Sequence, residues 1–491
     1  MEQPTILKEE KMHLHTVEKI GGTSMNNYEA VRDNIVRNPA LKNNIHNRIL
    51  VVSAYSGITD LLLEHKKTGH PGVFSLFSNS TNGKDWRTML DKVRQQMFDI
   101  NASLFKTEDQ IDAANQFIAE RISDAESCLS DLQRLCNHGH FSLESHLDSV
   151  REMLACIGEA HSARNTAHLL SQDGINACFV DLTGWRSPEQ ISLDERIKQA
   201  FSNIDLQSTM PIVTGYAHSE VGLMTHFDRG YSEMTFSRIA VLTEANEAII
   251  HKEFHLSSAD PRLVGEDNAV PIGRTNYDVA DQLANLGMEA IHPKAAKGLR
   301  QNNIPLRVRN TFEPEHYGTL ITQDYVSDSP CVEIIAGQKD ICAVELFDQD
   351  MTGNITEYDH AIIEIFKQFD VMTVAKDINA NTITHYVDAD IGTLKRITAQ
   401  LKKRYPDAEI SKRIVAIVSA IGSDMQVPGI LSKTVNALAE QNISILAIHQ
   451  SMRQVDMQFI IDEDDYEMAV KSLHRCLVEV HDHGRAICLA S

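Results

Sequence analysis

The sequence predicts an α/β protein: a three-layer domain on a mostly parallel sheet, followed by two smaller ferredoxin-like units. Three observations carry this reading. Apolar runs of strand length alternate with helical patterns over roughly the first 300 residues, as in a sheet covered on both faces. The stretch Pro211–Arg262 contains one strand–loop–helix–strand unit. From about residue 330 a βαββαβ pattern occurs twice, about 70 residues per copy, and such units commonly pair through their sheets.

In chain order, Thr16–Ile20 reads as a short strand running into Gly21-Gly22-Thr23-Ser24, with a helical pattern from Asn27. Two glycines after a strand let backbone N–H groups turn toward an anion, and Lys19 can project its ammonium into the same space. The lysine precedes the glycines, so this is not a Walker A loop, and an ordinary strand-to-helix turn stays open as a reading. Arg48–Ser53 is a continuous apolar run, the mark of a strand buried on both faces; it ends in the hydroxyl-rich Ser53–Asp60 and a helix over 61–66. Periodic segments at 86–105, 108–137 and 143–156 predict a helical insertion over about 67–150. Beyond it Glu159 stands among Gly, Ala and Ser, either at the surface or as the partner of a substrate cation. Ala177–Asp181 is a further strand.

In the Pro211–Arg262 stretch, the apolar run Pro211–Val213 stops at Thr214-Gly215-Tyr216, and a polar loop leads to Asp228-Arg229-Gly230-Tyr231-Ser232-Glu233. A helix follows with Phe236, Ile239, Ala240 and Thr243 on one face, then the strand Ala248–Ile250, which runs out at Lys252-Glu253. Open α/β sheets bind ligands beyond the carboxyl ends of their strands. Arg229 and Lys252 should therefore face one crevice, an anion site to which Gly230 admits a ligand. Asp260-Pro261-Arg262 reads as a turn, 279–287 as a helix and 304–308 as a strand. In the repeat, the first copy has strands at 341–347, 371–376 and 382–387 with helices at 358–369 and 391–404. The second has strands at 414–420, 443–449 and 456–461 with helices at 430–441 and 467–477.

Composition excludes several classes. At 491 residues the chain should hold two to four domains, and no apolar run reaches the ~20 residues of a membrane span. The first twenty residues lack the apolar core of a signal peptide, so a cytoplasmic protein is expected. A net charge of −22 without a segregated basic patch argues against nucleic acid or an anionic membrane as partner. The eight cysteines include no Cys-x-x-Cys pair and are expected to be reduced and mostly buried. The pairs His13/His15, His138/His140 and His481/His483 have no third ligand nearby, so no metal site is expected from them.

Six short motifs in order point to a family. They are Lys19-Ile20-Gly21-Gly22-Thr23-Ser24, Val51-Val52-Ser53-Ala54…Gly57-Ile58-Thr59-Asp60, Gly158-Glu159, Asp260-Pro261-Arg262, His292-Pro293, and Asn310-Thr311…Gly318-Thr319. With them, over residues 15 to 485, the chain resembles aspartate kinases, which have the amino-acid kinase fold and tandem carboxyl-terminal ACT domains. The resemblance implies an N-terminal extension (1–14), an amino-acid kinase domain (15–328) and two ACT domains (335–410 and 411–491). It also implies transfer of the γ-phosphoryl group of MgATP to the β-carboxylate of L-aspartate. That nucleophile is already ionised, so catalysis reduces to alignment and charge neutralisation.

By the same resemblance Lys19, Gly21 and Gly22 hold the transferring phosphate and Arg229 clamps a substrate carboxylate. Glu159 accepts the substrate ammonium, and Ser53, Thr59 and Glu233 complete the acceptor site. Thr23, Gly230, Ser232, Lys252, Glu253, Arg262 and Lys294 are assigned to ATP, and Mg²⁺ is expected to be held mainly by phosphates and water. Asp350, Met351, Gly353 and Gln450, with the ends 378–379 and 450–451, are candidates for an amino-acid effector site, solvated turns being the other reading. A homodimer or larger assembly through the ACT domains is expected.

The chain departs from the family at Asp228-Arg229-Gly230-Tyr231-Ser232-Glu233, where Gly-Arg-Gly-Gly-Ser-Asp is usual, and at Lys252-Glu253 in place of Thr-Asp. A lysine usual before His-Pro is replaced at Glu289, and Lys252 or Lys294 is expected to restore its charge. These departures resemble the branch associated with ectoine synthesis. Competing readings are a kinase of the same fold acting on glutamate or acetylglutamate, and a catalytically silent amino-acid sensor.

Overall fold

The structure, a computed structural model, describes residues 14–38, 45–66, 68–79, 84–227, 230–288 and 290–479. The chain divides into two compact units: Met1–His255 with Ile291–Thr322, and Leu256–Ala290 with Gln323–Ser491. Residues 256–290, which the sequence reading assigned to the kinase domain, thus group with the carboxyl-terminal residues.

Strands of the first unit are β1 (Thr16–Ile20), β2 (Arg48–Val52), β3 (Ala177–Val180), β4 (Met210–Thr214) and β5 (Glu247–Lys252). The three-residue β6 (Arg274–Asn276) belongs to the second unit, and β7 (Leu306–Asn310) and β8 (Thr319–Thr322) return to the first. Within the first unit the order is β3-β4-β2-β1-β5-β7-β8. All neighbours are parallel except β7 with β8. β2 and β4 are buried at every position, as their unbroken apolar runs foretold.

The helical insertion is present, with helices Lys84–Leu104 and Glu108–Cys136, the second opened by a Thr107/Gln110 capping box. The third predicted segment is different: the helix begins at Leu147 and runs to Gln172, far past 156, burying Glu159 at mid-helix against the sheet. It is buried nearly all round, so its apolar and small residues show no single stripe. The helix expected over 61–66 is instead Ile58–Leu62, and Glu64 bridges to Pro71.

The second unit holds β9 (Ile334–Phe347), β10 (Thr373–Asn379), β11 (Thr382–Val387), β12 (Glu409–Ile421), β13 (Ile445–Gln450) and β14 (Asp456–Asp462) in the order β10-β11-β9-β12-β14-β13. β9 and β12 pair along nearly their whole lengths with a shift between Val415 and Ile417. Ile341–Phe347 and the start of β12 serve the first ferredoxin-like copy; Ile334–Gln338 and the end of β12 serve the second. The copies are therefore interleaved rather than consecutive with a boundary at 410/411, because a 14-residue strand is long enough to serve both. β10 and β13 lie at opposite ends of the sheet, yet His449 Nε2 is 2.6 Å from Asp377 Oδ1, and Tyr386 donates its hydroxyl to Asp377 Oδ2 at 2.8 Å. Side chains of the two outer strands thus meet through Asp377 and His449.

The described cysteines are free; Cys156, Cys331 and Cys342 are buried, Cys136, Cys178 and Cys476 half-buried, and Cys128 exposed on its helix, so fewer are buried than expected. Cys488, His13, His481 and His483 lie outside the described residues.

Candidate active site

The carboxyl ends of β1, β2, β4 and β5 meet at one rim, as alternating parallel strands require. Strand alternation sorts their side chains. Lys19, partner of Ile250, points toward the helix Tyr231–Leu242, whereas Glu18 on the opposite face takes Arg48 and His251. Lys19 Nζ donates to Glu233 Oε1 at 3.1 Å, with both side chains largely buried. The other Glu233 oxygen accepts from the His292 backbone N–H. Burial alone would raise the Glu233 pKa, but Lys19, Lys252 and that N–H hold the carboxyl below its usual range.

Glu159 is 2% exposed, and its Oε2 has no hydrogen-bond partner among the described residues. Burial pushes its pKa up to about 8, against the opposing pull of Lys19, the Tyr231 side chain and the Tyr216 backbone N–H. Tyr216 and Tyr231 meet edge to face at 5.7 Å between centroids. The cradle has no room to spare. A Cβ on Gly215 would come within 3.1 Å of Glu159 Oε1 and 2.9 Å of Ser232 Cβ, and one on Gly22 within 2.8 Å of the Ala54 carbonyl.

The structure thus brings together Lys19, Gly21, Gly22, Glu159, Ser232, Glu233 and Lys252. Ser53 and Thr59 are half-buried beyond the end of β2, and the Ser53 carbonyl accepts from Ser162 Oγ at 2.8 Å. Thr23 and Glu253 are exposed. Gly230 is half-buried against the His292 ring, which a Cβ would strike at 2.5 Å. Arg229, Asp228 and Glu289 lie outside the described residues.

Two expected ATP residues have other partners. Lys294 is exposed, donating to the His226 carbonyl at 3.1 Å with its ammonium 4.9 Å from the Phe227 ring centroid. Arg262 is exposed, paired with Asp260 and part of the second unit. Among the regulatory candidates, Asp350, Gly353 and Gln450 are exposed, but Met351 is fully buried in an apolar core with Leu346, Ile362 and Phe366, so it is a packing residue. Sequence reasoning took Tyr231 only as a lost glycine and missed its hydroxyl at Glu159. It also missed the His292 N–H, because a backbone donor leaves no residue-type signal.

A lysine, a glycine turn and a buried carboxylate on one rim of a parallel sheet are the arrangement of the amino-acid kinase class. The model of the Amino acid kinase family matches residues 15–310, and an ACT domain model matches 418–477. The chain is 55% identical to "Aspartate kinase Ask_Ect" of Stutzerimonas stutzeri over 97% of this chain and 100% of that one, and it belongs to the aspartate kinase family. The aspartokinase of Candida albicans is 24% identical over 94% of this chain and 90% of its own. In fold it is similar to aspartate kinase from Clostridium acetobutylicum (TM-score 0.68, 20% identity, 94% and 100% covered) and to E. coli aspartokinase III in complex with aspartate and ADP (0.68, 19%, 94% and 99%). No helix of the described residues is long and apolar enough to cross a membrane.

Proposed function

We propose that the chain transfers the γ-phosphoryl group of ATP to the β-carboxylate of L-aspartate, giving 4-phospho-L-aspartate. The observation that carries this is Glu159: a buried carboxylate oxygen without a partner among the described residues, near a lysine ammonium already shared with Glu233. Such a group calls for an incoming cation, and the amino group of an amino acid supplies one. Lys19 then stands where negative charge builds between two anionic reactants, with Glu233 fixing its position, and Lys252 adds a second cation. Arg229 is assigned to a substrate carboxylate, Ser53 and Thr59 to the acceptor and Gly21, Gly22 and Ser232 to the phosphates. Among the described residues no three Asp, Glu, His or Cys side chains gather into a metal cage. A Mg²⁺ arriving with the nucleotide fits here through phosphate oxygens and water, where it would neutralise phosphate charge.

Two further readings rest on weaker support. The 55% identity to the Stutzerimonas enzyme supports placement in the ectoine-associated branch, and the exposed Asp350, Gly353 and Gln450 fit an amino-acid effector site in an ACT-paired oligomer. The decisive experiment is aspartate-dependent ATP turnover with the acyl phosphate trapped as hydroxamate. A wild-type chain that turned over ATP only with glutamate or acetylglutamate, or not at all, would overturn the assignment.

A further inference from the structure

The acceptor end of the rim lies over β4 and β2, Lys19 lies on β1, and β5 and β7 follow on the far side. Resting on the phosphotransferase reading above, we infer that Phe254 and Phe312 form the surface on which the adenine ring of ATP stacks. Strand spacing supplies the ruler. Neighbouring strands are ~4.8 Å apart, so β5 and β7 stand roughly 5 and 10 Å from β1. A nucleotide with its terminal phosphoryl at Lys19, running away from Glu159, passes Lys252 and lays its base over β5 and β7.

Two aromatic rings wait there. Phe254 follows the end of β5 by two residues and Phe312 follows the end of β7 by two. Lys252 and Asn310, the last residues of these strands, are register partners, and Thr311 donates its N–H to the Lys252 carbonyl at 2.8 Å. The phenylalanines therefore leave adjacent strands at the same height. They are 58% and 43% exposed, whereas Tyr216, Tyr231 and Phe236 near the same rim are buried.

The residues just after the two rings are cross-braced. His255 Nε2 is 3.0 Å from Glu313 Oε2, and Asn310 donates to Glu313 Oε1 at 2.9 Å. The His255 ring lies 4.1 Å, centroid to centroid, from that of His316. Two loops tied at the positions next to their exposed rings hold those rings in place before a ligand arrives, which lowers the ordering cost of binding. Stacking is the contact a flat base makes with such a surface, and it tolerates different bases.

The test uses the full chain with Phe254→Ala, Phe312→Ala, the double variant and the two Phe→Tyr variants. The alanine variants should weaken ADP binding by calorimetry and raise the ATP KM about five- to a hundred-fold, since base stacking is lost. Aspartate KM, and kcat at saturating ATP, should stay within two-fold, and tyrosine should restore nucleotide affinity. In Phe254→Trp, ADP should quench indole fluorescence. A double variant that binds ADP as the wild type does, with no fluorescence response in Phe254→Trp, overturns the inference. A wild type that binds ADP without phosphorylating aspartate overturns the functional reading instead, and the ADP measurements then decide the stacking surface by themselves.

Discussion

Replacing Glu159 by glutamine tests the acceptor site most directly. A pKa pushed from the ordinary 4.5 to about 8 means that burial disfavours the charged carboxylate by roughly 5 kcal/mol. The folded state holds this proton more tightly than the unfolded chain, so the penalty is absent below about pH 4.5, grows as pH rises and levels off above about pH 8. At pH 7 only about one-tenth of the free enzyme is ionised at Glu159, while the substrate ammonium requires the ionised form. Aspartate binding at pH 7 should therefore release close to one proton, and apparent affinity should rise about ten-fold between pH 7 and pH 8.5. Calorimetry in buffers of different ionisation enthalpy counts the proton. In Glu159→Gln the release and the pH dependence should disappear, aspartate should bind about 10- to 100-fold more weakly, and the loss of stability toward pH 8 should flatten. Unchanged aspartate affinity in the variant, or no proton released by the wild type, would refute the reasoning.

Other perturbations separate the remaining roles. Lys252→Ala should raise the ATP KM about ten-fold, the order of one lost charge-assisted contact, while Lys294→Ala should leave it unchanged; steady-state kinetics decide, and no effect from either would remove both as the replacement cation. Glu18→Gln leaves Arg48 buried without its anion and should lower stability by about 3–5 kcal/mol in urea titrations, with aspartate and ATP KM unaltered. Burial would raise the Glu18 pKa, but Arg48 and His251 hold it well below the usual range. Its stabilisation is thus complete above about pH 4.5 and is lost as pH falls, a slope the variant should lack. Gly158→Ala places a Cβ 2.8 Å from Ala54 Cβ and 3.0 Å from Ile58 Cγ2, and overpacking there should cost about 1–3 kcal/mol on the same assay.

Much of the fold was legible. Buried parallel strands such as Arg48–Val52 announce themselves as unbroken apolar runs, and Lys19-Ile20-Gly21-Gly22 and Gly158-Glu159 are local patterns, visible without coordinates. The helix Leu147–Gln172 was cut short at 156 because small residues packing closely on a sheet produce no amphipathic stripe. Met351 looked like part of an exposed loop because its neighbours are polar, yet a single apolar residue in a turn is free to fold inward.

The sequence by itself determined the layered α/β class, the repeated ferredoxin-like pattern and the residue types at the Lys19 end of the site, because these are set by local periodicity and short motifs. Tertiary structure alone decided that Glu159 is buried with one oxygen unpartnered among the described residues, that Lys19 is held by Glu233, and that β9 and β12 each serve both halves of one sheet. Those outcomes depend on which side chains meet across more than a hundred residues of chain in the case of Lys19 and Glu233, and on how much water the meeting excludes. Neither quantity is written in any local stretch.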